Sequence, residues 1–199
     1  MRALVVFCHP CGDSLAARLC GAVTETLAGA GHEVRLRDLY AEDFDPVIRP
    51  QEWRDYFADV AACEAKVAGH LDDLRWAEAL VLVFPTWWYG PPAMLKGWLE
   101  RVWLPGVTFD IPKSRLGIVT RKLDNIRLFV AVTTSGSPWW WLKLIRDPCR
   151  SLLTRGMRPL FHPRCRVIWR QLYSMDNADA GRRDAFVGRV TATIREVAP

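Results

Sequence analysis

The most informative part of this chain is the stretch FPTWWYGPPAMLKGWLERVW, which runs from Phe84 to Trp103. The apolar run at 79–84 has the length of a buried strand, and Pro85 ends it because proline has no N–H to offer a neighbouring strand. Three aromatic residues follow, and a Gly-Pro-Pro turn then leads into a helix without proline. Ligands of open parallel sheets bind outside the carboxyl ends of the strands. An aromatic loop at that point predicts a flat ligand, and a planar cofactor is the first candidate.

The overall composition is that of an ordinary globular protein with one domain. Half of the 199 residues are hydrophobic and a quarter are charged, which suffices for one sizeable core. No apolar run approaches the roughly 20 residues that span a bilayer, and the first ten residues resemble a buried strand more than a leader. We therefore expect a cytoplasmic protein. The net charge of +5 is spread along the chain, whereas a nucleic-acid site needs a clustered patch, so nucleic-acid binding is not predicted.

The six cysteines favour free thiols, because they are scattered through a chain of intracellular type. Cys8 and Cys11 do form a C-x-x-C pair. A redox motif needs its first cysteine at the start of a helix, however, and Cys8 lies at the end of a predicted strand. No second cysteine pair or close histidine pair completes four ligands, so no metal site is predicted.

Apolar runs and helical periodicities alternate along the chain. Strands are predicted at 3–8, 33–38, 79–84, 126–133 and 164–172. Helices are predicted from a cap at Asp13 or Ser14 to Gly29, and at 51–76 with a possible break near Gly69, 92–103, 140–155 and 178–197. Residues 104–124 are predicted as a loop with a hairpin.

Strands that alternate with helices imply right-handed βαβ units and a parallel sheet. The fold class predicted is therefore α/β, a doubly wound sheet with helices on both faces. No G-x-G-x-x-G follows the first strand. This absence favours the flavodoxin-like strand order 2-1-3-4-5 over the dinucleotide-binding order.

Three loops at the carboxyl ends of strands carry candidate binding residues. In the first, His9 and Ser14 precede a helix whose free N–H groups attract anions, although Ser14 also fits a plain cap. In the second, Trp87, Trp88 and Tyr89 suit an aromatic ring, although they also fit a structural cluster or a dimer patch.

The third loop, at 133–138, offers hydroxyl groups and Gly136, which lets the backbone approach a ligand closely. By itself it also fits an ordinary turn between strand and helix. The three loops follow strands one, three and four, which are neighbours in the predicted order, so they converge on one crevice. Met94, Leu95, Trp98, Val102 and Trp103 fall instead at helical spacing, which favours packing over ligand binding.

At these residues the chain resembles the flavin-dependent NAD(P)H quinone reductases, the flavodoxin-like family that includes DT-diaphorase and related bacterial oxidoreductases. The match is strongest from Phe84 to Trp103, where Pro-x-x-Trp-aromatic-Gly-x-Pro-Ala-x-Leu-Lys-Gly-Trp-x-Glu-Arg-Val is preserved, and PGVTF follows at 105–109. The first and third loops match at the expected positions, so the resemblance covers most of the chain.

The resemblance implies one flavodoxin-like flavin-binding domain over 1–199, a homodimer, and FAD or FMN as cofactor. It implies hydride transfer from NAD(P)H to flavin N5 and then to a quinone or similar two-electron acceptor, in a ping-pong cycle. His9, Ser14 and Leu15 would then lie along the flavin phosphate and ribityl chain. The remaining candidates would hold the isoalloxazine ring: Pro85, Thr86, Trp87, Trp88 and Tyr89 on one edge, and Thr133, Thr134, Ser135 and Gly136 on the other side.

Two departures from the family pattern affect these expectations. DT-diaphorase-type members carry a tyrosine and then a histidine after the third loop, whereas this chain has SPWWWLK at 137–143 and its next histidine is His162. No catalytic side chain is therefore assigned, and the Trp139–Trp141 run fits either a pocket wall or a dimer contact. Leu15 and Ala16 also stand where the family often has an aromatic residue and asparagine.

The favoured function is a flavin oxidoreductase, an enzyme of the NAD(P)H dehydrogenase (quinone) type. Some relatives are ancillary subunits of potassium-efflux transporters, which gives a regulatory alternative. A flavodoxin-type electron carrier is a third alternative, but a carrier that docks basic partners should be acidic, and this chain is basic.

Overall fold

The protein is built around a parallel sheet of five strands with helices on both faces. The computed structural model describes residues 1–112, 117 and 119–198. The strands are β1 (Arg2–Phe7), β2 (Glu33–Asp38), β3 (Ala79–Pro85), β4 (Leu128–Thr134) and β5 (Arg166–Leu172). Their order in the sheet is β2-β1-β3-β4-β5, with every pair parallel. The predicted fold class and strand order are confirmed.

The helices in the described residues surround this sheet. They are α1 (Leu15–Gly29), α2 (Pro50–Ala58), α3 (Val60–Lys66), α4 (Ala68–Trp76), α5 (Ala93–Val102), α6 (Trp139–Leu144), α7 (Pro148–Ser151) and α8 (Ala180–Val197). A π-helical turn at Leu152–Gly156 follows α7. Across these described segments, no helix combines the length and the apolar character needed to cross a membrane.

Two predicted helices are broken in the structure. The predicted helix at 51–76 is three helices: the break at Val67 confirms the possible break near Gly69, and a second break at Asp59 was not predicted. Asp59 leaves the helical conformation (φ −144°, ψ 74°) and its carboxylate accepts a hydrogen bond from Ala62 N at 3.2 Å, so it starts a new helix.

The predicted helix at 140–155 is likewise divided into α6, α7 and the π-helical turn. The break lies at Arg146 and Asp147, which have φ values of 63° and 40°. Pro148 follows directly, and a residue before proline is disfavoured in the α-helical region.

The predicted hairpin in 104–124 forms between Phe109–Asp110 and Thr120–Arg121, which pair antiparallel. Residues 113–116 and 118 of that predicted loop lie outside the described residues.

Alternate residues of the central strands pack into separate cores on the two faces of the sheet. Leu80 and Leu82 of β3 join the core that includes α3, α4 and α5, whereas Val81 and Val83 join the core under α1 and α8. β1, β3 and β4 are therefore apolar on both faces, as expected for parallel strands covered on both sides.

Helix α5 is fixed firmly behind the aromatic loop. The backbone of Pro46 occupies the space that a Cβ on Gly97 would take, so this close approach requires glycine. Arg101 and Glu52 form a bidentate pair, with Nε–Oε1 2.7 Å and Nη2–Oε2 3.1 Å, and both side chains are buried. Trp98 is fully buried in the core and Trp103 is almost fully buried, which confirms the predicted packing role of these two residues.

Candidate functional site

The loop after β1 holds an imidazole against the aromatic loop. The ring centres of His9 and Trp87 are 6.1 Å apart. The Nδ1 of His9 lies 3.0 Å from the backbone N and 3.2 Å from the carbonyl O of Cys11. In the tautomer that accepts from this N–H, the hydrogen of the neutral ring is on Nε2. That Nε2 has no hydrogen-bond partner among the described residues, so it can donate to a ligand.

Helix α1 begins with free donors beside this histidine. Ser14 is the cap residue, and its Oγ accepts from Ala17 N at 3.1 Å, which leaves the hydroxyl hydrogen free. The backbone N–H groups of Leu15 and Ala16 have no acceptor in the part of the chain that the structure describes. Free amides at the positive end of a helix bind anions, and phosphate in particular.

The loop after β3 forms a tight turn with an unusual composition. Trp87 and Gly90 exchange two backbone hydrogen bonds of 3.0 Å each. The central residues Trp88 and Tyr89 have φ values of 47° and 61°, the pattern of a type I′ turn, which favours Asn and Gly. Placing a non-glycine residue in the left-handed region costs roughly 1 kcal/mol. Strained backbone of this kind is concentrated at ligand-binding sites.

The aromatic side chains of this turn reach solvent. Trp88 is 95% exposed and Trp87 is 43% exposed, although full burial of such rings contributes several kcal/mol in a core. The hydroxyl of the half-buried Tyr89 accepts a hydrogen bond from Trp141 Nε1 at 3.1 Å. The Trp139–Trp141 run therefore contacts the turn directly.

Hydrogen bonds fasten the third loop to the aromatic one. Thr86 and Thr133 join through their hydroxyls at 2.9 Å, and Thr86 N donates to Thr134 O at 2.7 Å. The carboxylate of Asp176 occupies the space that a Cβ on Gly136 would take. The two loops are therefore joined at their base and form neighbouring walls of the site.

These three loops enclose two adjoining clefts. The smaller, of about 220 Å³, lies against the start of α1, and the larger, of about 490 Å³, lies beside the aromatic turn. Both share Thr86, Trp87, Ser135 and Gly136, so they form one continuous groove, which we call the loop groove. Of the predicted site residues the groove is lined by His9, Ser14, Leu15, Pro85, Thr86, Trp87, Trp88, Tyr89, Thr134, Ser135 and Gly136.

Thr133 is the predicted site residue that lines neither cleft. It is fully buried and supports Thr86 from behind. The groove also contains residues that the sequence analysis missed, namely Met175 and Asp176 from the segment after β5, and Leu142 from α6. No motif marked these residues, because their position depends on how two distant segments pack.

Two cysteines near the groove, Cys8 and Cys149, are buried. Burial raises the pKa of the Cys8 thiol to about 12 and that of Cys149 to about 12. A redox dithiol needs a lowered pKa, so the raised pKa of Cys8 is unfavourable for that role.

His162 lies at the opposite end of the sheet. Its backbone N–H donates to Ile126 O at 3.2 Å, at the amino ends of β4 and β5. It therefore does not supply the histidine that the resembled family carries after the third loop, as the sequence analysis expected.

Comparison with known proteins places this geometry in a family. The family model described as "flavodoxin-like fold" matches residues 1–141. The chain is 35% identical over 108 residues to the uncharacterised NAD(P)H oxidoreductase YcaK of Escherichia coli K12, covering 54% of this chain and 55% of that protein. It is 30% identical over 151 residues to the NAD(P)H dehydrogenase [quinone] 1 of Rattus norvegicus, covering 68% and 54% respectively. The chain thus spans about half the length of these curated relatives.

Solved structures show the same architecture over the whole chain. Smu.1420 from Streptococcus mutans UA159 superposes with a TM-score of 0.84 at 27% identity, covering 98% of this chain and 100% of that one. The NAD(P)H:quinone oxidoreductase from Methanothermobacter marburgensis has a TM-score of 0.84 at 24% identity, covering 99% and 98%, a likeness of fold alone. With the family model matching well over half of its residues, the chain belongs to the family with the flavodoxin-like fold.

Proposed function

We propose that this protein is a flavin-dependent NAD(P)H oxidoreductase that reduces a quinone or a similar two-electron acceptor. The observation that carries the proposal is the loop groove, in which an anion-binding helix start and exposed aromatic rings meet in one continuous space. The names of the relatives, NAD(P)H oxidoreductase and NAD(P)H dehydrogenase [quinone], support the same chemistry.

The residues fit a flavin mononucleotide or dinucleotide. The free amides of Leu15 and Ala16, the Ser14 hydroxyl and the Nε2 of His9 would hold its phosphate. The backbone N–H groups of Trp88 and Tyr89, which have no acceptor within the described segments, would donate to the polar edge of its ring system.

The side chains then contribute position and desolvation. Trp87 and the wall formed by Ser135 and Gly136 would confine the ring from two sides, which restricts water near the reacting atoms. Bound flavin supplies hydride acceptance at N5 and delivery of two electrons in a ping-pong cycle. The overall reaction balances as NAD(P)H + H⁺ + quinone → NAD(P)⁺ + hydroquinone.

Anaerobic stopped-flow absorbance tests the function directly. The purified protein should carry a flavin, identified as FMN or FAD by mass, and NADPH or NADH should bleach it. Benzoquinone should then restore the oxidised spectrum. A protein that binds flavin but is not bleached by either nucleotide is a carrier or a regulatory subunit, and the proposal is then wrong.

We also propose that the protein is a homodimer. Trp53, Phe57 and Trp140 are 64%, 62% and 56% exposed, and large exposed aromatic side chains mark interfaces. Light scattering after gel filtration should give twice the mass of the chain, and the double substitution Trp53→Ser with Phe57→Ser should shift that mass toward the monomer. A monomeric wild-type protein at micromolar concentration contradicts this proposal.

We propose a cytoplasmic location, since the cysteines in the described residues are free and thiols persist in reducing compartments. Cell fractionation tests it.

A further inference from the structure

A second cleft, lined by basic residues, adjoins the loop groove. It has a volume of about 650 Å³ and lies around the break between α6 and α7, within the range of volumes typical of small-molecule sites. Both spaces are lined by Leu142, so they meet at α6. We call this space the basic cleft. Its charged lining residues are Lys143, Arg146, Asp147, Arg150 and Arg155.

Among the described residues, the cations of the basic cleft form no close ion pair with a carboxylate. Within the described residues, none of the four basic side chains lies within 4.0 Å of a carboxylate, whereas ten other lysines and arginines do form such pairs. The one carboxylate in the cleft, that of Asp147, accepts a hydrogen bond from the backbone N–H of Arg150 at 3.1 Å. The cleft therefore keeps a positive charge that a bound anion can neutralise.

The backbone that carries these cations is held in place. Arg146 and Asp147 have left-handed φ values of 63° and 40°. The Ser151 hydroxyl donates to Arg146 O at 2.9 Å, and Asp147 N donates to Leu142 O at 2.7 Å. This bonding fixes the turn between α6 and α7, so the guanidinium groups start from a fixed backbone.

Aromatic rings border the same space. The indole of Trp139 is 58% exposed and lies 5.8 Å from the ammonium group of Lys143. Tyr173 lines the cleft as well. An exposed indole offers a flat surface for a purine, and arginine binds phosphate through paired N–H donors.

We propose that the basic cleft binds the adenosine 2′-phosphate end of NADPH, so that this protein prefers NADPH over NADH. The inference rests on the proposed function, because it takes the hydride donor to be a nicotinamide nucleotide. The nicotinamide would reach the loop groove past α6 while the 2′-phosphate contacts Arg146, Arg150 and Arg155. NADH lacks that phosphate, so these cations do not increase its affinity.

Ligand binding tests the assignment without any redox step. Calorimetry should show that adenosine 2′,5′-bisphosphate binds at least about tenfold more tightly than adenosine 5′-monophosphate, because a charge-assisted hydrogen bond contributes about tenfold or more in affinity. Arg150→Gln and Arg155→Gln should each remove much of that difference. Arg164→Gln is the matched control, since Arg164 is exposed and precedes β5 at the amino end of the sheet.

Flavin-reduction kinetics provides the second readout. The ratio of kcat/KM for NADPH to that for NADH should exceed about ten in the wild type and fall about tenfold in Arg150→Gln. Arg150→Lys, which keeps the charge, should recover part of the preference. Unchanged flavin content and thermal unfolding of each variant show that it is folded.

Several results would overturn the inference. Equal affinities for the two adenosine ligands contradict it, and so does a difference that survives in both glutamine variants. Arginine variants that slow the reactions with NADPH and NADH equally also contradict it. Variants that raise KM only for an anionic quinone would assign the cleft to the acceptor. If adenosine 2′,5′-bisphosphate binds as expected but neither nucleotide bleaches the flavin, the oxidoreductase proposal is wrong while the cleft's preference for a 2′-phosphate stands.

Discussion

The aromatic turn after β3 and the helix α5 that follows it use the same residue type in opposite ways. Trp88 in the turn is 95% exposed, whereas Trp98 in the helix is 0% exposed. Only ten positions separate them. In the helix, Leu95, Trp98 and Val102 recur at helical spacing, fall on one face and enter the core. In the turn, two residues with positive φ hold their side chains away from the sheet. The comparison shows that backbone conformation, more than hydrophobicity, decides which tryptophans stabilise the fold and which are free to bind.

The largest effect on stability is expected from a substitution in helix α5. Trp98→Ala should lower the free energy of unfolding by about 3–5 kcal/mol, because it removes a fully buried ring and leaves a cavity. Urea denaturation followed by circular dichroism measures this. A loss below about 1 kcal/mol would mean that Trp98 does not anchor α5.

Trp98 also contacts a histidine whose protonation should control stability. Trp98 Nε1 donates to His70 Nδ1 at 3.3 Å, and the His70 ring packs edge-on against Phe44. Burial, with Arg37 and Arg101 nearby, lowers the pKa of His70 from 6.5 to about 4, while Asp73 opposes the shift. The side chain is only 12% exposed, and its Nε2 lies 3.6 Å from the Glu42 carboxylate, which favours the charged ring as Asp73 does.

The folded state disfavours the charged ring of His70. The contribution of the neutral ring to the free energy of unfolding is therefore complete above pH 6.5 and is lost as the pH falls through 4. The difference between the pKa values of His70 in the unfolded and folded states corresponds to about 3 kcal/mol in the free energy of unfolding. Urea midpoints measured between pH 7 and pH 4 should therefore fall more steeply for the wild type than for His70→Gln. Parallel curves for the two proteins would contradict the assignment.

On the turn side, Trp88→Ala should weaken flavin retention by about three- to tenfold, since an aromatic contact contributes about 0.5–1.5 kcal/mol. Stability of the flavin-free protein should change by less than about 0.5 kcal/mol, because the ring is almost wholly exposed. Fluorescence titration of flavin into the apoprotein measures the affinity. Unchanged affinity would show that the Trp88 side chain does not contact the cofactor.

A matched substitution at the same position isolates the backbone strain. Trp88→Asn should lose as much flavin affinity as Trp88→Ala, yet the apoprotein should be more stable than Trp88→Ala by about 0.5–1 kcal/mol, because asparagine tolerates a φ of 47°. Thermal melts of the two variants under one condition provide the comparison. Equal melting temperatures would indicate that the turn stores no strain.

The sequence predicted the sheet well for a physical reason. Strands buried on both faces appear as continuous apolar runs, and the alternation with helices leaves few possible strand orders. The broken helices were harder to predict. Asp59 and Val67 interrupt a pattern with helical periodicity throughout, although a capping aspartate and Pro148 were local indications at two of the breaks.

The candidate site was predicted through convergence of the loops rather than through any single motif. Eleven of the twelve predicted residues line the loop groove. The type I′ turn was not foreseen, since Trp-Tyr is contrary to the residue preference of that turn. The basic cleft also escaped prediction, because it exists only where the helix predicted at 140–155 breaks.

The hydroxyl pair of Thr86 and Thr133 has a consequence for how a ligand enters the groove. Since β3 and β4 are in register up to Pro85 and Thr134, the two walls are extensions of neighbouring strands rather than independent loops. A planar ligand that binds against them need not first order either wall, so little conformational entropy is lost on association.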